Sequence, residues 1–229
     1  DGARSSPRRG GPCVDTRGAR RVRHNFGDFF RAKLAMATAS PSDVMGMARA
    51  VVGNREPRLA LRDTHLGHEG ALALAEALSA NTVLEDLDLY GCALGDVGAE
   101  ALARALCAHG QCTAVDLGAN ELGTLEALAP LLHAEQQAGW LRPHASSGIL
   151  HLRLARNRLE GGACGALLSA AAPAARAPAL SLQSLALSFN PIGEEGAAHL
   201  GEALQRSPNL RTLQLHSCQL GAAGGAALA

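Results

Sequence analysis

The chain has 229 residues, enough for one large domain or one elongated repeat domain. It is 47% hydrophobic but only 3% aromatic, so its core has to be Leu and Ala rather than large rings. Its 21 Lys and Arg balance its 21 Asp and Glu, which excludes a whole-chain field drawing it to nucleic acid or a membrane surface.

The charge is uneven along the chain. Residues 1–35 hold nine Lys and Arg against three Asp, and the remainder holds 12 against 18. Residues 1–19, with RSSPRRGGP, lack periodicity and read as disordered. From Arg20 onward, Val22, Phe26, Phe29, Phe30 and Leu34 share a helical face, ringed by Arg20, Arg21, Arg23, Arg31 and Lys33. Two readings of this basic amphipathic segment stay open. It is a membrane-lying or organelle-targeting helix, or it is a linker or sequence upstream of a start at Met36. Ser42 then caps a helix carrying Val44, Met47, Ala48 and Val51 on one face. The expected division is a basic segment over 1–41, a capping helix and linker over 42–57, and repeats over 58–229.

The repeats announce themselves as a recurring L-x-x-L-x-L-x-x-(C/N)-x-L. One copy is Leu84, Leu87, Leu89, Cys92 and Leu94, and the next is Cys112, Val115, Leu117, Asn120 and Leu122. Three more follow, built on Ile149 to Leu159, Leu182 to Ile192 and Leu210 to Leu220. A partial first copy holds Leu59, Leu61, Thr64 and Leu66. The junction between the strand-like and helix-like halves is therefore Thr64, Cys92, Asn120, Asn157, Asn190 and Cys218, at steps of 28, 28, 37, 33 and 28. All six are small and able to hydrogen-bond. Each is expected to act as a structural rung, satisfying backbone groups where the chain turns out of the sheet. The series exchanges Asn and Cys, so Asn120→Leu is expected to cost about 1–3 kcal/mol and Asn120→Cys much less.

This pattern resembles the leucine-rich repeat family, in its ribonuclease-inhibitor-like class, over about residues 58–229. The helix halves LGHEGALALAEAL, LGDVGAEALARAL and IGEEGAAHLGEAL carry the same resemblance. It implies an α/β solenoid with a parallel sheet on the concave face and helices on the convex face. It also implies a protein-binding role, as in the sensor repeats of NOD-like receptors, the GTPase-activating protein for Ran and tropomodulin-like proteins.

Departures from the period sit in repeats three and four. The third has a shorter strand-to-helix turn, and Pro130 either kinks its helix or occupies the first turn. An insertion of about 11 residues follows Leu132 and carries the sole tryptophan, Trp140. Trp140 is either a binding anchor or a cover for apolar helix surface. A second insertion lies near APAARAP. The chain stops within GAAGGAALA, inside an expected helix, so self-association through an uncapped last strand is expected.

Catalytic signatures are missing: there is no phosphate-binding loop with Lys, no nucleophile elbow and no HExxH. CAHGQC brings Cys107, His109 and Cys112 together, but Cys112 holds a core position and a fourth zinc ligand is lacking. His68 and Glu69 read as exposed turn residues. No metal, cofactor or enzyme activity is expected. Six irregularly spaced cysteines point to free thiols, a reducing compartment and a cytoplasmic location. No apolar run is long enough to span a bilayer, and no secretory signal is present.

Strand alternation leaves the binding candidates on the concave face. They are Arg58 and Arg62; Asp86, Asp88 and Tyr90; Asp116; His151 and Arg153; and Gln214 and His216, with Trp140 added from the insertion. Asp88 and Asp116 are expected to be column neighbours, with Arg153 compensating. The expected function is a protein-interaction scaffold with a protein partner and no nucleic acid. The alternatives are a GTPase-activating protein resembling the Ran activator, or the sensor portion of a NOD-like signalling receptor.

Overall fold

The computed structural model describes residues 57–79, 81–132, 149–165 and 182–229. The basic segment over 1–41, the capping helix, Trp140 and both insertions lie outside them. The described residues hold six strands, each three residues long: β1 (Arg58–Ala60), β2 (Asp86–Asp88), β3 (Ala114–Asp116), β4 (His151–Arg153), β5 (Ser184–Ala186) and β6 (Thr212–Gln214). They form one parallel sheet in chain order. The register sets Leu59, Leu87, Val115, Leu152, Leu185 and Leu213 side by side. That row points into the core, and its first five members are buried.

The ladder outlasts the strands. In the first repeat Leu61 N–H donates to Asp88 O at 2.8 Å and Asp63 N–H to Tyr90 O at 2.7 Å. The residue before each rung then takes a left-handed conformation and the chain leaves the sheet. Asp63, Gly91, Ala119, Arg156, Phe189 and Ser217 all have φ between 53° and 69°.

The helices follow the strands. They are α1 (Gly67–Leu78), α2 (Gly95–His109), α3 (Ala129–Leu132), α4 (Gly161–Cys164), α5 (Gly193–Gln205) and α6 (Gly221–Ala227). Ala71, Leu74 and Leu78 of α1 and Ala99, Leu102 and Leu106 of α2 are buried at helical spacing. The close fit between neighbouring helices needs glycine. A Cβ on Gly98 would stand 2.9 Å from the Ala71 Cβ and 3.3 Å from the His68 Cα. Gly224 meets Ala197 in the same way four repeats later, with a Cβ 3.0 Å away.

His68 and Glu69 are exposed as expected, but they lie in the first turn of α1 rather than in a loop. Helix propagation explains this, because Gly67 already starts the hydrogen-bonded turn. In repeat three a 3₁₀ turn, Glu126–Leu128, replaces the first helical turn, and Pro130 follows in the opening turn of α3. The proline thus sits where it has no intrahelical acceptor to lose. Asp96 of α2 supports this shortened connection, accepting Gly123 N–H at 3.0 Å and Thr124 N–H at 3.3 Å.

No helix among the described residues is long and apolar enough to cross a membrane.

Candidate functional site

The six rung residues are all buried in the described structure. Asn120 makes a full set of four bonds. Its Nδ2 donates to Leu89 O at 2.8 Å and to Gly118 O at 3.0 Å. Its Oδ1 accepts Cys92 N–H at 2.9 Å and Leu94 N–H at 3.4 Å. Asn157 repeats this one strand on, donating to Leu117 O and Leu154 O and accepting from Asn120 and Leu122. The cysteine rungs reproduce only the donor half. Cys92 Sγ bonds Leu61 O at 3.0 Å, and Cys218 Sγ bonds Leu187 O at 3.3 Å. The turns that precede them close on themselves instead. Leu66 N–H bonds Thr64 O at 2.7 Å, and Ile192 N–H bonds Asn190 O at 2.9 Å. Pro191 favours the second closure, because its ring fixes φ near −65°. Burial raises the Cys92 thiol above its ordinary range, which suits a structural rung and not a nucleophile.

The CAHGQC stretch is structural as well. Cys112 is buried beneath the sheet, and burial pushes its thiol up to about 12. His109 bridges two repeats: its Nε2 lies 3.1 Å from Asn81 Oδ1, and its Nδ1 accepts Gln111 N–H at 3.3 Å. Those partners assign the proton to Nε2. Burial lowers the His109 pKa, favouring the neutral ring these bonds require. Among the described residues no group of His, Cys, Asp and Glu forms a metal cluster.

The concave face brings most of the sequence candidates together. Asp88 and Asp116 are register partners, as are Asp116 and Arg153. Arg58 Nε donates to Asp86 at 2.8 Å. Arg62 lies 3.4 Å from Asp88 and Arg153 lies 3.8 Å from Asp116. Each of the two central carboxylates also closes its own strand end: Asp88 accepts Tyr90 N–H at 3.2 Å, and Asp116 accepts Gly118 N–H at 3.0 Å. Burial raises the Asp116 pKa, the Gly118 N–H opposes that, and the Asp88 charge reinforces it. The acidic strip is therefore neutralised within the face itself. Arg62 also stacks over Tyr90, 4.7 Å from the ring centre. Gly118 lies against that ring, since a Cβ there would come within 2.7 Å of Tyr90 Cδ2.

The other half of the face is less charged. His151, Gln214 and His216 are exposed, and Ser188 Oγ lies 3.3 Å from His216 Nδ1. Beside them stand two residues that alternation along the strands passes over. Arg156 and Phe189 each precede a rung, at the rim where the strands leave the sheet. Both are exposed, and the Arg156 guanidinium lies 4.7 Å from the Phe189 ring centre. The signal for them was the rung spacing itself. Asn157 and Asn190 occupy equivalent places, so the residues before them are neighbours. Trp140 lies outside the described residues.

A family model agrees with this geometry. The family model described as Leucine Rich repeat matches residues 80–103, 180–201 and 206–229. No curated protein matches the chain. Among solved structures, Leiomodin-1 Actin-Binding Site 2 is 16% identical, with a TM-score of 0.43, covering 79% of this chain and 81% of that one. Internalin C2 from Listeria monocytogenes is also 16% identical, with a TM-score of 0.37, covering 86% of this chain and 87% of that one. The matched segments fall on strand–turn–helix units of a six-stranded parallel solenoid with Asn or Cys rungs, and those segments are leucine-rich repeats.

Proposed function

We propose that this protein is a non-enzymatic scaffold that binds a protein partner on the concave face of its solenoid. The observation that carries this reading is the face itself. Six in-register parallel strands hold outward side chains in straight columns, with Tyr90, His151, Gln214 and His216 at fixed positions around a self-neutralised ion-pair strip. Such a surface offers shape and hydrogen-bonding groups without a strong net field, which suits a folded or extended protein segment. Its arginines and tyrosine are residue types enriched at binding hot spots. The cytoplasm fits the buried, unpaired thiols Cys92, Cys112, Cys164 and Cys218.

The test is affinity capture with the full chain, the captured partner being identified and then measured by titration. A face variant, Tyr90→Ala with Gln214→Ala, is compared with a helix-side variant, Arg104→Glu. Loss of binding in the face variant alone supports the concave site. Loss in the helix-side variant alone moves the site to the convex surface and refutes this reading.

A further inference from the structure

Phe189 is misplaced for a folding role. It is 48% exposed, and it holds a left-handed φ of 62°, a conformation that bulky side chains disfavour. The fold imposes that conformation on the residue before every rung, but Asp, Gly, Ala and Ser fill other places in the row. What Phe189 does make is a stack with Arg156, whose guanidinium lies 4.7 Å from the ring centre. The neighbouring arginines are engaged by carboxylates: Arg153 lies 3.8 Å from Asp116, and Arg158 lies 3.0 Å from Glu121. Among the described residues Arg156 has no carboxylate partner. The contact with the ring holds the guanidinium carbon over the π face without consuming an acceptor, which leaves its N–H groups for a bidentate carboxylate. An oriented cation therefore stands beside half-exposed aromatic surface, at the edge of the concave sheet.

Resting on the concave-face reading, we infer that Arg156 and Phe189 form a docking subsite for an acidic peptide segment. One carboxylate seats on the Arg156 N–H edge, and an adjacent apolar side chain packs on the exposed part of the Phe189 ring. Charge complementarity selects this occupant. The stretch HLRLARNR, residues 151–158, carries three arginines and a histidine with no acidic residue. Asp116 and Glu121 then cancel two of those arginines, leaving one uncompensated cation. That balance suits a segment with one or two carboxylates, and it is too small a charge to hold a polyanion such as nucleic acid.

The experiment pans a random 12-residue phage-display library on the immobilised full chain. A synthetic peptide of the selected consensus is then titrated by fluorescence anisotropy. The expected consensus places Asp or Glu beside an apolar residue. Arg156→Gln weakens binding about tenfold or more, and Arg156→Lys weakens it less, keeping charge but losing the fork. Phe189→Asn weakens binding about tenfold while leaving the melting temperature unchanged or raised, because Asn tolerates the left-handed region. A consensus without an acid, no selected peptide, or affinity indifferent to Arg156→Gln and Phe189→Asn overturns the subsite. If binding of a selected peptide then still fails in the Tyr90→Ala, Gln214→Ala variant, the concave reading stands alone. If neither variant set affects it, both readings fall. Binding of a 12-nucleotide oligouridylate tighter than the acidic peptide also overturns the proposal.

Discussion

Asn120 Oδ1 accepts the backbone N–H of Cys92 at 2.9 Å, one repeat back, while Cys92 Sγ donates to Leu61 O and meets the Thr64 hydroxyl at 3.4 Å, accepting no backbone N–H among the described residues. The two rung types are therefore not equivalent, although they share one column. Asn120→Cys removes the acceptor of Cys92 and Leu94 N–H, because a thiol is a weak donor and a weak acceptor. The interchange expected from the sequence is thereby revised: Asn120→Cys should destabilise by about 1–3 kcal/mol, and Asn120→Leu by more, since it also strands Leu89 O and Gly118 O. Chemical denaturation of both variants tests this. A near-neutral Asn120→Cys would mean that the preceding turn closes on itself as readily as the one at Thr64.

The second glycine of the helix-start motif sets helix spacing where it faces the preceding repeat, as at Gly98 and Gly224. Gly98→Val should destabilise by about 1–3 kcal/mol through overpacking against Ala71 and the α1 backbone at His68. Gly162→Val, where a Cβ meets nothing within 4 Å, should cost far less. Equal losses at the two positions would point to helix propensity rather than helix contact.

The His109 bridge gives stability a pH dependence of known sign. Its folded pKa lies below the usual 6.5, so the unfolded chain binds the proton more readily. The contribution is present above about pH 6.5 and is lost as pH falls from there through the lower folded value. Melting temperatures recorded between pH 7.5 and 5 should fall less steeply for His109→Ala than for wild type, from a lower start. Parallel curves would remove His109 from the account.

Asp116 has the opposite sign. Its folded pKa is raised, so the ionised carboxylate is disfavoured in the fold and its contribution is lost as pH rises through that value. Asp116→Asn keeps an oxygen for Gly118 N–H and removes the charge beside Asp88. It should raise the melting temperature at pH 7, an advantage that disappears below about pH 4. A drop at pH 7 would show that the Arg153 contact outweighs burial and repulsion.

The described cysteines are free and should remain reduced and slow to react. Burial pushes Cys112 and Cys164 up to about 12, which leaves negligible thiolate at neutral pH. Among these described cysteines Cys107, only half-buried, should be alkylated first under native conditions. Timed labelling with mass spectrometry checks the order, and early modification of Cys92 or Cys218 would remove them from the rung series.

The repeat was legible because it is written in local periodicity. Leu at every second strand position, a small polar rung and GA at helical spacing each respond to the one-dimensional pitch of a strand or helix, and 28-residue recurrence aligns them. The inward rows, the column contact of Asp88 with Asp116 and the buried place of Cys112 followed directly. Hydrogen-bond direction did not follow, because Asn and Cys fill one volume while only Asn offers a strong acceptor to the strand before it. Nor did the sequence separate a face that binds from a face that neutralises itself. Arg62, Asp88, Asp116 and Arg153 lie 26 to 37 residues apart in successive pairs, and only the stacking of strands brings their charges within reach. Arg156 and Phe189 escaped for the same reason. Side-chain alternation ends with the strand, and it is the left-handed turn, imposed by the ladder and the rungs together, that stacks a guanidinium on a ring 33 residues away.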